Sequence, residues 1–152
     1  MGEQKPTIST RFGELAYSAG ACLEFPAGLP GFEDEHHFVL IEEPSQRPLV
    51  FLQSVATPEL CFTTVPVHVI DAAYQVQVNR EDLERLGLPP ARQPDTEREV
   101  ACLAIICAAG EQAPTANLLG PVVVNRQTRI AVQAIREDSR YSARHPLMEA
   151  AC

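Results

Sequence analysis

The chain has 152 residues, 45% of them hydrophobic and 21% charged, with a net charge of −8. That length fits one domain, residues 1–152, around one core, and the composition is that of a soluble globular protein rather than a disordered one. The acidic balance argues against general nucleic-acid binding through a basic surface, and the longest apolar run, Val100–Ala109, is about half the length a membrane helix requires.

The N-terminal Met1–Pro6 has no apolar signal region, and Pro6 stands where a myristoylation pattern expects Ser or Thr, so a cytoplasmic location is expected. Residues 1–6 and 148–152 are expected to be flexible. Short apolar runs punctuated by proline and glycine then follow, the signature of an all-β sandwich or barrel. Candidate strands are Ile8–Arg11, Leu15–Tyr17, Ala21–Phe25, His37–Ile41, Val50–Ser54, Cys61–Val65, Tyr74–Val78, Val100–Ala108, Val122–Asn125 and Arg129–Ile135. In Tyr74–Val78 apolar residues alternate with glutamines, as a half-buried antiparallel strand requires.

One helix is expected at about residues 80–86. Asn79 is its N-cap, Glu81 and Asp82 favour the positive end of the helix dipole, Leu83 and Leu86 form the apolar stripe, and Gly87 stops it. The run around Leu103–Ile106 is apolar on both faces, which predicts the central, most buried strand. Val122–Val132 reads as a hairpin with a polar tip near Asn125–Thr128. The fold class is thus mainly β, a single-domain antiparallel barrel-like fold with one short helix.

The chemistry-bearing residues are dispersed. Cys22, Cys61, Cys102, Cys107 and Cys152 are odd in number and form no CxxC pair, so neither a disulfide framework nor a cysteine metal site is expected. Cys102 and Cys107, five apart on one strand, point to opposite faces. His36-His37 is a vicinal pair whose rings diverge, His68 and His145 are isolated, and no ligand spacing for a metal appears. There is no nucleophile elbow, P-loop or dinucleotide fingerprint. No catalytic residue, cofactor or small-molecule substrate is therefore expected, and the chain reads as a binding protein rather than an enzyme.

Two constrained loops stand out. Phe25-Pro-Ala-Gly28-Leu-Pro30-Gly31-Phe32 combines prolines that fix φ with glycines that permit positive φ. Such a loop costs little entropy to hold in a binding conformation, or it is a tight turn with Phe25, Leu29 and Phe32 plugging the core. In Pro114-Thr-Ala-Asn117-Leu-Leu-Gly120-Pro121, Asn117 can cap a turn, and one of Leu118 and Leu119 must face outward if the segment is extended. Charge is uneven: acidic residues, Glu33, Asp34 and Glu35 among them, dominate residues 1–50, while Arg126, Arg129, Arg136, Arg140 and Arg144 dominate the end. An acidic face either steers a basic partner or serves solubility.

Phe25–Glu33, Thr115–Asn125 and Tyr141–Pro146 resemble, in this order, the signature stretches of the FliW family of flagellar assembly factors. Thr10–Glu14 is similar to that family's opening hairpin and Phe51–Val55 to its next core strand, so the resemblance spans roughly residues 7–148. It implies a compact antiparallel β-barrel that binds the RNA-binding regulator CsrA and flagellin, relieving repression of flagellin translation without contacting nucleic acid or membrane itself. The chain departs from the family at Val65, where members tend to carry an acid before the proline, and in its short tail after Pro146. Leu29, Phe32, Glu33, Asp34, Glu35, Asn117, Leu118 and Leu119 are the candidate partner-binding residues. Two other readings stay open: a small β-barrel enzyme or ligand binder with a pocket lined by His37, His68 or a cysteine, and RNA binding through the Arg126–Arg144 segment.

Overall fold

The computed structural model describes residues 7–10, 13–16, 21–108, 110–138 and 140–147. Strands β1 (Thr7–Thr10) and β2 (Gly13–Ala16) form an antiparallel pair of their own, with Thr10 opposite Gly13. The expected ends of these strands at Arg11 and Tyr17 lie outside the described residues. The main sheet is built from β3 (Cys22–Glu24), β4 (His37–Ile41), β5 (Val50–Ser54), β6 (Cys61–Pro66), β7 (Val100–Cys107), β9 (Val122–Asn125) and β10 (Ala131–Gln133). Its order is β10-β9-β7-β6-β5-β4-β3, antiparallel at every step. Two short strands, β8 (Thr115–Ala116) and β11 (His145–Pro146), pair with each other, and β8 also pairs with the end of β7.

Glu24 forms a single parallel bridge with Ile130, its N–H donating to the Arg129 carbonyl at 3.0 Å. The two ends of the strand path therefore meet at one point. The sheet is curled and barrel-like without a continuous ladder across the seam.

Strand β7 explains why its sequence is apolar on both faces. Leu103 belongs to an inner core with Leu23, Phe25, Phe38, Leu52, Val122 and Val124, whereas Cys102 and Ala104 belong to an outer core with Val123, Val132, Leu83 and Leu86. Alternate residues thus feed two cores, as period-two geometry demands. Cys102 lies in the outer core, and Cys107 has the strand parity of Leu103 and Ile105, which serve the inner core, so the two fall on opposite faces as their odd spacing predicts.

The outer core is covered by helix α2 (Arg80–Leu86). The Asn79 side chain accepts the Asp82 N–H at 2.8 Å, and Gly87 ends the helix in the left-handed conformation at φ 71°. A helix of two turns is marginal alone, but burying Leu83 and Leu86 contributes about 1.5–3 kcal/mol each. Asn125 fixes its other end, donating from Nδ2 to the Leu86 carbonyl at 2.7 Å.

One sequence expectation is corrected, and one short element is added to those expected. Tyr74–Val78 has the expected alternation, with Tyr74, Val76 and Val78 buried, but it is not a ladder strand. Side chains take the place of a neighbouring strand: Gln93 bonds both the N–H and the C=O of Val78, at 2.7 and 3.0 Å, Tyr141 accepts from the Gln75 N–H, and Arg136 donates to the Gln75 carbonyl. Directly after Pro66 the chain forms a one-turn helix, α1 (Val67–Ile70), where the β-branched residues gave no helix signal.

Candidate functional site

The Phe25–Glu35 loop is pinned at its base. Phe25 N–H donates to the His36 carbonyl at 2.7 Å, and the His36 ring Nδ1 lies 2.9 Å from the Phe25 carbonyl. At its tip, Leu29-Pro30-Gly31-Phe32 closes with Phe32 N–H on the Leu29 carbonyl at 2.7 Å and Gly31 at φ 87°. Proline second and positive-φ glycine third is the residue order of a type II turn. The Glu33 carboxylate accepts the Gly31 N–H at 2.9 Å, which holds its proton affinity below the ordinary carboxylate value.

Glu35 ties this loop to the next. It accepts from the Ser54 hydroxyl and from Thr57 Oγ1 at 2.7 Å, and these two bonds depress its pKa. A run of aromatic edges leads outward from the core: Phe25 to Phe38 at 5.3 Å, Phe38 to Phe62 at 6.1 Å, and Phe62 to Phe32 at 5.5 Å. Phe32, the last of them, is 41% exposed.

In the second loop the Asn117 side chain accepts the N–H groups of Leu119 at 3.0 Å and Gly120 at 2.8 Å. Of the adjacent leucines, Leu118 is fully buried and Leu119 is half-buried. The Leu118 carbonyl accepts the Tyr74 hydroxyl, and Leu119 bonds Arg136 through its carbonyl.

The eight candidate residues therefore divide. Leu29 and Leu118 are core side chains, 2% and 0% exposed. Asn117 and Glu35 use their polar atoms to set loop shape. Phe32, Glu33 and Asp34 form the exposed edge of the first loop, and Leu119 gives the second loop a partly exposed apolar group.

Strand β10 brings the two loops together. Gln133 donates from Nε2 to the Gly120 carbonyl at 2.9 Å, and Gln133 and Val132 share a cavity of about 240 Å³ with Ala27, Gly28, Pro30, Glu33, Asp82 and Arg85. Sequence reasoning missed Gln133 and Ile135 as parts of this face. Residues 130–135 carry apolar side chains at both parities, Ile130, Val132 and Ala134 on one and Ala131 and Ile135 on the other, so the pattern did not say which side is covered. Ile135 is 49% exposed.

The competing sites are built differently. Cys22, Glu24, Asp34, His36 and His37 border an open groove of about 510 Å³, yet burial pushes the Cys22 thiol up, away from the thiolate a nucleophile needs. The Cys102 thiol is pushed up to about 12 by burial. His68 is spent on the Tyr74 carbonyl at 3.2 Å. Among the described residues, no group of three or more His, Cys, Asp or Glu side chains is placed to hold a metal ion.

Three of the five arginines in the Arg126–Arg144 segment are engaged within the chain. Arg136 is buried, chelating Asp138 at 2.8 and 3.0 Å and lying 4.8 Å over the Tyr141 ring. Arg140 bonds the Gln75 side chain, and Arg126 bonds the Val100 carbonyl. Val65, the point of departure from the family pattern, is a buried outer-core residue.

Known proteins match this chain over nearly all of its length. A family model described as FliW protein matches residues 6–147. A flagellar assembly factor FliW of Geobacter sulfurreducens is 34% identical over 144 residues, covering 94% of this chain and 86% of that protein. Its counterpart in Bacillus subtilis is 30% identical over 147 residues, covering 95% and 99%. A solved crystal structure of a flagellar assembly factor FliW superposes with a TM-score of 0.81 at 30% identity, covering 97% of this chain and all of that one.

Proposed function

This chain belongs to the FliW family of flagellar assembly factors, and from that membership we propose that it is a non-catalytic, cytoplasmic protein-binding regulator of flagellin production. Its partners in this reading are flagellin and a CsrA-type RNA-binding regulator. Binding the regulator lifts its repression of flagellin translation, with no direct contact to nucleic acid. No helix among the described residues is long and apolar enough to cross a membrane.

The observation that carries the reading is the end-to-end match in sequence and fold to proteins named for flagellar assembly. The first loop supports it. Phe32, Glu33 and Asp34 present an apolar ring beside two carboxylates on a rigid turn, a surface suited to a partner with an apolar spot ringed by basic groups. Such a surface is pre-formed, so little ordering cost is added on association.

Size-exclusion chromatography of the purified chain mixed with purified flagellin, and separately with the CsrA-type regulator, tests it. Comigration with each partner is expected. Independent elution in both mixtures at micromolar concentration would sink the reading.

A further inference from the structure

The outer edge of β10 is covered at its start and open beyond. The register of β10 against β9 pairs Ala131 with Val124 and Gln133 with Val122. The pairing continues past the strand, with Ala134 N–H on the Pro121 carbonyl and Arg136 N–H on the Leu119 carbonyl. In an antiparallel ladder hydrogen-bonded and non-bonded positions alternate. Residues 132, 134 and 136 therefore bond inward, and the main-chain groups of Gln133 and Ile135 point outward. Neither residue's N–H or C=O has a partner among the described residues. The bridge from Glu24 covers this edge only as far as Ile130.

A cavity lies at each end of this open stretch. At the Gln133 end is the one lined by Gly28, Pro30, Glu33 and Asp82. At the Ile135 end a second, of about 240 Å³, is lined by Gln77, Asn79, Ile135, Glu137 and Asp138. Asp82 and Asp138 are paired with Arg85 and Arg136. Glu33 and Glu137 have no ion-pair partner among the described residues, so each cavity keeps one uncompensated carboxylate.

We propose that the Gln133–Glu137 edge accepts an extended segment of a protein partner by strand addition, the segment carrying basic side chains that reach Glu33 at one end and Glu137 at the other. The main-chain groups of Gln133 and Ile135 supply the ladder, the exposed Ile135 side chain supplies the apolar contact, and the carboxylates select the charge. A second copy of this chain is a poor occupant, because edge-to-edge pairing brings two chains of net charge −8 and their Glu137 carboxylates together. The proposal deepens the protein-binding reading above and rests on it.

Amide NMR of the isotope-labelled full chain tests it, with a synthetic heptapeptide of alternating threonine and valine carrying lysine at both ends. Addition to millimolar concentration shifts the Gln133 and Ile135 amides and slows their hydrogen exchange about tenfold. The same peptide with alternate amides N-methylated, or with glutamate at both ends, leaves them unchanged. In the Glu33→Lys, Glu137→Lys double variant, both changes on the surface, the preference passes to the glutamate peptide. Unshifted amides at 133–137, an equal effect of the N-methylated peptide, or self-association through this edge overturns the proposal. The two readings separate in the complexes themselves. A chain that comigrates with flagellin or the regulator while Gln133 and Ile135 keep their exchange rates overturns the strand addition and leaves the function standing. Peptide binding at the edge without either protein partner does the reverse.

Discussion

The Tyr74 hydroxyl donates to the Leu118 carbonyl at 2.7 Å, joining an extended segment without a strand neighbour to the loop that leads into β9. Both residues are buried, at 4% and 0% exposure. The bond therefore satisfies an acceptor that water does not reach.

Replacing Tyr74 with phenylalanine removes this bond together with the hydroxyl's interaction with the Arg136 side chain. The ring contacts remain, with Tyr141 at 4.3 Å and the Arg136 guanidinium at 5.6 Å, and only the hydroxyl is lost. Leaving the Leu118 carbonyl unpaired costs about 1–3 kcal/mol. A lower urea midpoint at unchanged slope is the expected result; an unchanged midpoint would mean that the carbonyl finds another donor.

Gly28 and Gly31 separate steric from conformational demands in the first loop. Both have positive φ, 68° and 87°, but a Cβ on Gly28 meets the Glu33 carbonyl oxygen at 2.5 Å while one on Gly31 meets nothing within 4 Å. Gly31→Ala is expected to cost about 1–2 kcal/mol, the left-handed penalty alone. Gly28→Ala adds a clash with main chain that cannot swing aside, for about 2–4 kcal/mol in total. Equal losses in the two denaturation curves would remove the clash from the explanation.

The pH dependence follows from Glu35. Its hydroxyl donors, Ser54 and Thr57, hold the folded-state pKa below the ordinary 4.5. A depressed carboxylate contributes stability that is present above the unfolded pKa and lost as pH falls through the folded one. Glu99, lowered to about 2 by Arg92 and the Asp95 N–H, acts in the same direction over a more acidic range. Glu35→Gln should therefore lower the urea midpoint near pH 7 and flatten its decline as pH falls below the ordinary 4.5. A variant that declines as steeply as the wild type contradicts the assignment.

Much of the fold was legible because local rules and packing agree. Asn79, Leu83, Leu86 and Gly87 marked α2 to the residue, and β4 and β5 span the His37–Ile41 and Val50–Ser54 expected from the sequence. Tyr74–Val78 misled because alternation reports burial, not a neighbour: Gln93, Arg136 and Tyr141 satisfy its main chain, and nothing local announces that. The strands β8 and β11 are two residues each, too short for any period to register. In the candidate site the rigidity of the turns was readable from proline and glycine. Which apolar groups stay outside was not, since Leu29 and Phe32 differ in exposure through the path of the chain rather than through their chemistry. Gln133 and Ile135 joined the face only through the β9–β10 register.

The most direct measurement is calorimetric titration of the CsrA-type regulator with the wild-type chain and with a Phe32→Ala, Asp34→Lys variant, both of whose side chains are exposed. Saturable binding by the wild type, weakened about tenfold or more in the variant while the variant stays folded, is the predicted result. Equal affinity of the two would move the contact surface elsewhere, and absence of any binding by the wild type to the regulator and to flagellin would contradict the protein-binding role itself.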